Sequence, residues 1–444
     1  MQVTETASAG LKREYRVVVP ATDLEARVNE RLDDLKGRVQ LRGFRPGKVP
    51  VSHLKRIYGK AAMAEVIEAA VREANSKIVT EHGYKLATEP KVVPVEGGVE
   101  GVIEGKADLA YTVELELVPP ITLTDFKAIK LERLTAPVSD AEIDQAVQNI
   151  AEQSRPFAPK AEGAAQGDRV TVSFHATVDG SPFEGGSAEG VPVVLGEGHF
   201  LPGFEEHLVG IKSGESRTFD LTFPDNYAAS PVAGKTAAFA VTAIAVETPG
   251  TVTINDDFAK SLGLESLATL REIVTERLQR EHAAASRQKL KRALLDQLDA
   301  RHKFEPPPSL VEQEFNTVWT AIENDLKAQN RTFADEGTTE EKARAEYRAI
   351  AERRVRLGLV LAEIGEKNNI TVTDEQLTAA VMERARQLPG QEQQVWDYYR
   401  NNPSALAALR APLFEEKVVD FLLELAEVTE QSVSREVLFK EDEE

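Results

Sequence analysis

A chain of 444 residues is too long for one compact domain, so two to four are expected. It has no cysteine, which excludes a disulfide, a thiolate metal site and a cysteine nucleophile. Its formal net charge is −20, residues 1–17 hold no continuous apolar run, and no stretch approaches the ~18 apolar residues of a membrane span, so a cytoplasmic protein without signal peptide or anchor is expected.

The elements follow from hydrophobic period. Tyr15, Val17 and Val19 alternate and predict a strand over 13–19. Thr22-Asp23-Leu24-Glu25 has the pattern of a capping box and predicts a helix with Leu24, Val28, Leu32 and Leu35 on one face, ending at Gly43. Ser52 suggests a short capped helix, and a longer one is expected from about Ala61 to Glu81. Leu109, Tyr111, Val113, Leu115 and Leu117 alternate as a strand, which makes the N-terminal region an α+β unit. Pro119-Pro120 marks a boundary before an extended linker. Ser139-Asp140-Ala141-Glu142 then opens a second capped helix carrying Ile143, Val147 and Ile150. From 167 to 247 the pattern is β, with an Asp179-Gly180 hairpin signal and alternation over Phe219, Leu221 and Phe223 and over Ala237 to Ala245. After Pro249 the 3.6-residue period holds nearly to the end, through Leu267–Leu278, Val311–Leu326, Val360–Ile364 and Leu409–Leu425, and residues 440–444 form a charged tail.

Charge is unevenly distributed. Residues 1–115 carry 18 basic and 17 acidic side chains, residues 250–444 carry 26 and 37. Residues 36–60 hold eight cations and no acid: Lys36, Arg38, Arg42, Arg45, Lys48, Lys55, Arg56 and Lys60. In the middle, Gly43-Phe44-Arg45-Pro46-Gly47-Lys48-Val49-Pro50 is too rich in glycine and proline to be helical. A stiff tip that presents one aromatic and two cations, on an otherwise acidic protein, is suited to a negatively charged partner such as nucleic acid or a nucleoprotein surface.

The β segment concentrates aromatics in a chain where they make up only 6% of residues. Phe174, Phe183, Phe200, Leu201, Phe204, Tyr227 and Phe239 fall within it. The 7 histidines lack metal-ligand spacing, and neither a nucleophile triad nor a phosphate loop is present, so no metal and no cofactor is expected. An apolar pocket without a nucleophile suits prolyl isomerisation, whose barrier of ~18–20 kcal/mol is rotation about a partial double bond. The plainer reading of the same cluster is the core of a small β domain.

Three runs carry a family resemblance: Asp168-Arg169-Val170-Thr171-Val172-Ser173-Phe174, Asp179-Gly180-Ser181-Pro182-Phe183-Glu184, and Leu195-Gly196 with Leu201-Pro202-Gly203-Phe204-Glu205-Glu206. Together they resemble the FK506-binding-protein type of prolyl isomerase. The resemblance implies a pocket lined by Phe174, Phe183, Phe200, Leu201, Phe204 and Phe239, an edge acid at Glu184, and a loop tyrosine, Tyr227, that hydrogen-bonds the substrate carbonyl. Phe204 stands where many members have Trp, Glu184 is longer than the common Asp, and Val191 replaces an aromatic.

The flanks extend the likeness. The Gly43–Pro50 tip, the run Phe304-Glu305-Pro306-Pro307-Pro308-Ser309-Leu310-Val311-Glu312, and Val428-Thr429-Glu430 are similar to the trigger factor family of bacterial ribosome-associated chaperones. That family implies an ATP-independent chaperone and isomerase that docks near the nascent-chain exit through Arg42, Gly43, Phe44, Arg45 and Lys48, with Pro46 replacing a frequent lysine. The expected fold is multidomain α+β: a ribosome-docking α+β domain over 1–115, a linker to the helical body over 116–149, a small twisted antiparallel isomerase domain over 150–247, and a long helical chaperone domain over 248–444. The expected partners are the ribosome and nascent or unfolded chains, with no membrane and no free nucleic acid, and a homodimer left open. Two alternatives stand beside this: a stand-alone isomerase without ribosome docking, and a nucleic-acid-binding protein using residues 36–60.

Overall fold

The computed structural model describes residues 1–37, 44, 49–94, 100–198, 200–224, 232–329 and 331–440. The chain forms two compact units, one of Met1–Asp125, Leu295–Ala321 and Thr339–Leu422, the other of Phe126–Leu294, Ile322–Thr338 and Leu423–Glu444.

The first unit opens on two strands, β1 (Gln2–Ala9) and β2 (Lys12–Val19), then helices α1 (Ala21–Lys36) and α2 (Val51–His82), strand β3 (Lys91–Pro94), a single turn α3 (Glu100–Ile103) and strand β4 (Leu109–Glu116). The antiparallel sheet has the order β1-β2-β4-β3. Tyr15, Val17 and Val19 of β2 and the alternate residues of β4 share a buried core with Leu24, Val28 and Leu32 of α1 and with Leu54, Met63, Ala70 and Ile78 of α2.

Three expectations are corrected here. No capping box operates at Thr22: the N-cap is Pro20, extended at φ −60° and ψ 145°, whose carbonyl accepts Asp23 N–H and Leu24 N–H. The free Ala21 N–H is satisfied instead by Asp108 Oδ1 at 2.8 Å, a partner 87 residues away. The extended proline thereby starts the helix at Ala21, two residues before a cap at Thr22 would. The helix ends at Lys36, not Gly43, with Gly37 as its C-cap. The two helices expected after the basic loop are one continuous α2, started by Pro50 in the same way and ended by left-handed Gly83 at φ 63°. Gly59 inside it lowers helix propensity by only about 1 kcal/mol, which a buried face of this length overrides.

In the second unit, strand β5 (Lys130–Thr135) leads to α4 (Asp140–Gln153). Here the expected capping box forms: Ser139 Oγ accepts Glu142 N–H, and Glu142 Oε2 accepts Ser139 N–H at 2.9 Å. Next come β6 (Phe157–Pro159), β7 (Arg169–Val178), β8 (Ser181–Val194), the short helix α5 (Phe204–Leu208), β9 (Ser216–Thr222) and β10 (Thr236–Pro249). The antiparallel sheet runs β6-β10-β7-β8, with β9 also paired to β10. Asp179 and Gly180, both at positive φ, close the β7–β8 hairpin as expected of that dipeptide.

Entry and exit of this sheet are adjacent. Phe157 pairs with Pro249, and Gly250 N–H donates to Pro156 O at 2.7 Å. On either side of it in sequence, Ile143, Val147 and Ala151 of α4 form one core with Phe258 and Ala259 of α6 (Asp256–Ser261) and Leu270 and Val274 of α7 (Leu267–Arg301). The β domain is therefore an insertion whose flanks pack on each other without it.

Asp168, 2% exposed, ties the base of the sheet. Its Oδ2 accepts Lys160 Nζ at 2.6 Å and Ala165 N–H at 2.7 Å. Burial pushes its carboxyl pKa up, but Lys160 and the backbone donor more than offset this and hold it below the usual value. A depressed folded-state pKa contributes stability that is present above the unfolded pKa of ~3.9 and lost as pH falls through the folded value. Asp168→Asn should therefore cost about 1–3 kcal/mol near neutral pH, with the gap to the parent closing in acid below ~4. Urea unfolding followed by fluorescence at several pH values measures this, and a gap independent of pH would contradict it.

The remaining elements are α8 (Pro308–Ala328), α9 (Glu340–Lys367), α10 (Asp374–Arg386), α11 (Glu392–Asn401), α12 (Pro403–Leu425), β11 (Glu427–Ser432) and α13 (Arg435–Phe439). Pro308 occupies the first position of α8, where its missing N–H is harmless, and Pro307 O accepts Leu310 N–H and Val311 N–H. Within the first unit, buried Glu116 of β4 accepts Ser309 N–H at 3.2 Å, setting a carboxylate on the α8 N-terminus. Within the second, β11 pairs in parallel with β5, Val428 opposite Leu131. The helical region thus ends on a strand that closes back onto the segment before α4. No helix of the described residues is long and apolar enough to cross a membrane.

Candidate active site

The β domain is organised around Phe204. Left-handed Gly203, φ 85°, caps α5 and turns the chain so that the first helical residue points into the core, where Phe204 is 1% exposed. Four rings surround it: Phe200 stacked at 5.3 Å, Phe219 and Phe239 edge-on at 5.6 Å each, and Phe174 edge-on at 6.1 Å. These are the spacings at which aromatic quadrupoles attract. The sheet sets the rest: Phe239 of β10 lies directly across from Phe219 of β9, their rings 6.0 Å apart, and Phe174 of β7 pairs with Val241. Phe183 of β8 meets Phe223 edge-on at 5.7 Å.

Of the expected pocket residues, Phe174, Phe183, Phe200, Leu201, Phe204 and Phe239 all join this one cluster. Phe204 and Phe239 are buried, whereas Phe174, Phe183, Phe200 and Leu201 are partly exposed at its margin. Val191 packs at the same margin. The side chain of Glu184 and all of Tyr227 lie outside the described residues. Phe219 and Phe223 were missing from the expected lining. Their alternation was visible as a strand, but the cross-strand register that brings Phe219 onto Phe239 was not.

The rings offer no acid, base or nucleophile; they offer apolar aromatic surface, and a surface of that kind lowers a prolyl barrier only if it takes the imide out of water and fits the twisted bond better than the planar one. Among the described residues no cluster of three or more His, Asp or Glu could hold a metal ion.

Of the Gly43–Pro50 tip, Phe44, Val49 and Pro50 are described. Phe44 is 36% exposed, its ring 5.0 Å from His53. Val49, fully buried, anchors the chain where it enters α2. Arg42, Gly43, Arg45 and Lys48 lie outside the described residues. Lys55 is committed to Glu25 of α1 at 2.6 Å, so the eight cations of 36–60 are not all available to a partner.

Comparison with known proteins covers the chain in three parts. Residues 1–150 match the family described as bacterial trigger factor protein, 160–244 match FKBP-type peptidyl-prolyl cis-trans isomerase, and 266–424 match the bacterial trigger factor C-terminus. The trigger factor of Azorhizobium caulinodans is 62% identical over 446 residues, covering 100% of this chain and 99% of that one. That of Xanthobacter autotrophicus is 60% identical with the same coverage. A solved chain from work on promiscuous substrate recognition in folding and assembly activities of the trigger factor chaperone aligns with a TM-score of 0.55 over 96% of this chain and 99% of its own. At 19% identity that last likeness speaks to the fold alone.

Proposed function

The chain belongs to the trigger factor family and carries an FKBP-type prolyl isomerase domain, and from this premise we propose how its parts divide the work. X-Pro bonds are isomerised on the cluster centred on Phe204, with Phe174, Phe183, Phe200, Leu201 and Phe239 as its lining, Glu184 at its edge and Tyr227 donating to the substrate carbonyl. Arg42, Gly43, Phe44, Arg45 and Lys48 dock the chain on the ribosome near the nascent-chain exit. The helical segments on either side of the isomerase domain hold unfolded or nascent clients in the cytoplasm. We keep the division into residues 1–115, 116–149, 150–247 and 248–444 in outline, with the edges of the isomerase domain moved to 157 and 249, because Ile150 and Ala151 pack with α6 and α7 and β10 runs to Pro249. Nothing in this reading requires a homodimer or contact with free nucleic acid.

The observation that carries the division of labour is the insertion topology. Because Pro156 and Gly250 are hydrogen-bonded neighbours and α4 packs on α6 and α7, the isomerase domain can leave without opening the core beside it. Excising residues 157–249 and joining the ends through a short glycine linker keeps Ile150 and Ala151 in place. The excised chain should lose peptide isomerisation entirely and still suppress aggregation of a refolding client, as light scattering reads it, at a similar chaperone ratio. A folded excision variant that no longer suppresses aggregation would place client holding on the isomerase domain.

A further inference from the structure

We propose that Glu205 is a positioning residue for isomerisation, bracing Gly196 and Gly198 so that Phe200, close after them in the chain, stays stacked on Phe204. The inference rests on the pocket reading above. Glu205 directly follows Phe204 on α5, and its Oε2 accepts Gly196 N–H at 2.7 Å and Gly198 N–H at 3.2 Å. One carboxylate oxygen therefore grips the loop that leads into Phe200, whose ring lies 5.3 Å from Phe204 at an interplanar angle of 18°.

The loop needs a brace. Gly196 and Gly198 both sit at positive φ, 101° and 68°, and glycine backbone is costly to hold in one conformation. Leu195 is fixed at the loop base by Asp168 O and Gly167 N–H, and Phe204 N–H donates to Leu201 O at the far end. Between those ends, Glu205 supplies the side-chain hydrogen bonds that reach Gly196 and Gly198. Hydrogen bonds from backbone N–H to a carboxylate are charge-assisted and outweigh neutral ones.

The helix that carries the brace is itself held. With five residues, α5 is too short to persist alone. Arg217 clamps its C-terminal end, Nη1 donating to His207 O and Val209 O at 2.8 Å each, while Nε donates to Glu215 at 3.1 Å. Glu205 at one end and Arg217 at the other fix where Phe204 stands and how the loop meets it. Glu205 as a whole is half-buried, but its Oε1 is shielded from solvent with no hydrogen-bond partner among the described residues, so the carboxylate is held by its Oε2 contacts to the loop.

Three variants of the full chain test this: Glu205→Ala, Glu205→Gln and Phe204→Leu. Each is assayed for kcat and KM on a proline-containing tetrapeptide, for amide exchange across 194–202 by mass spectrometry, and for thermal unfolding. Glu205→Ala should lower kcat/KM about tenfold and speed exchange at the loop by a similar factor, without a matching loss of folded protein. Glu205→Gln keeps an acceptor oxygen and should recover most of the activity and of the protection. Parent-like turnover in Glu205→Ala while Phe204→Leu is impaired would overturn the positioning role and leave the pocket standing. So would impaired turnover in Glu205→Ala with loop exchange unchanged. If Phe204→Leu itself turns over like the parent, the pocket reading fails and this inference with it. Should Glu205→Ala not fold, the Gln variant decides: loop protection lost with full activity, or activity lost with full protection, overturns the proposal.

Discussion

Changing Phe44, Arg45 and Lys48 together to alanine should abolish co-sedimentation with ribosomes. Phe44 stands partly exposed beside His53, and Val49 pins the end of the tip into the core. Two prolines fix φ within the segment, so less entropy is lost when it binds. Arginine can pair bidentately with phosphate or carboxylate, and an aromatic anchor seated in a pocket is the commonest centre of binding energy. Losing one such anchor and two charges should cost several kcal/mol, on the order of a hundredfold or more in affinity. Peptide isomerisation should be unchanged, because the Phe204 cluster lies in a separate core. Lys55→Ala serves as the control, since Lys55 is already paired with Glu25 and an exposed ion pair of this kind contributes little. Binding should weaken as salt rises. A triple variant that sediments like the parent would make the tip an ordinary solvated face. Equal affinity for free RNA would favour the nucleic-acid reading instead.

How much of this was legible in the sequence depended on whether the deciding partner was local. The Ser139 capping box was readable because both halves of it lie within four residues, and the Asp179-Gly180 turn because the dipeptide itself adopts the required positive φ. Thr22 misled because the same local pattern was present, yet Pro20 upstream and Asp108 across the sheet had already satisfied the helix start. Strand β1 escaped notice since Gln2–Ala9 is an edge strand with almost every side chain exposed, so it carries no alternation to read. The pairing of β5 with β11 was invisible for another reason: nothing local reports a parallel partner about 300 residues away. The candidate site shows the same division. Its aromatic inventory is readable from composition and motif, and the six residues expected to line a pocket fall in one cluster. Phe219 depends on cross-strand register, and the Glu205 brace on a carboxylate reaching back nine residues, and neither leaves a local pattern in the sequence.

Phe204→Leu is the variant that separates a pocket from a core. Phe204→Ala would remove a ring in contact with four others and cost about 3–5 kcal/mol through the cavity alone, confounding lost activity with lost fold. Leucine keeps much of the volume, and its cost in stability should stay near 1–2 kcal/mol. What it removes is the flat aromatic floor against which Phe200 and Phe174 are set. If that floor grips the twisted imide more tightly than the planar one, kcat/KM should fall roughly ten- to a hundredfold. Because the lining rings offer no acid or base, the loss should be the same throughout the neutral pH range. Tyr227→Phe should cost less, about fivefold, the worth of one hydrogen bond. Circular dichroism and thermal unfolding of each variant show whether the domain remains folded. Parent-like rates in a folded Leu variant would mean that the rings around Phe204 only hold the domain together, and that X-Pro bonds turn over elsewhere on the chain.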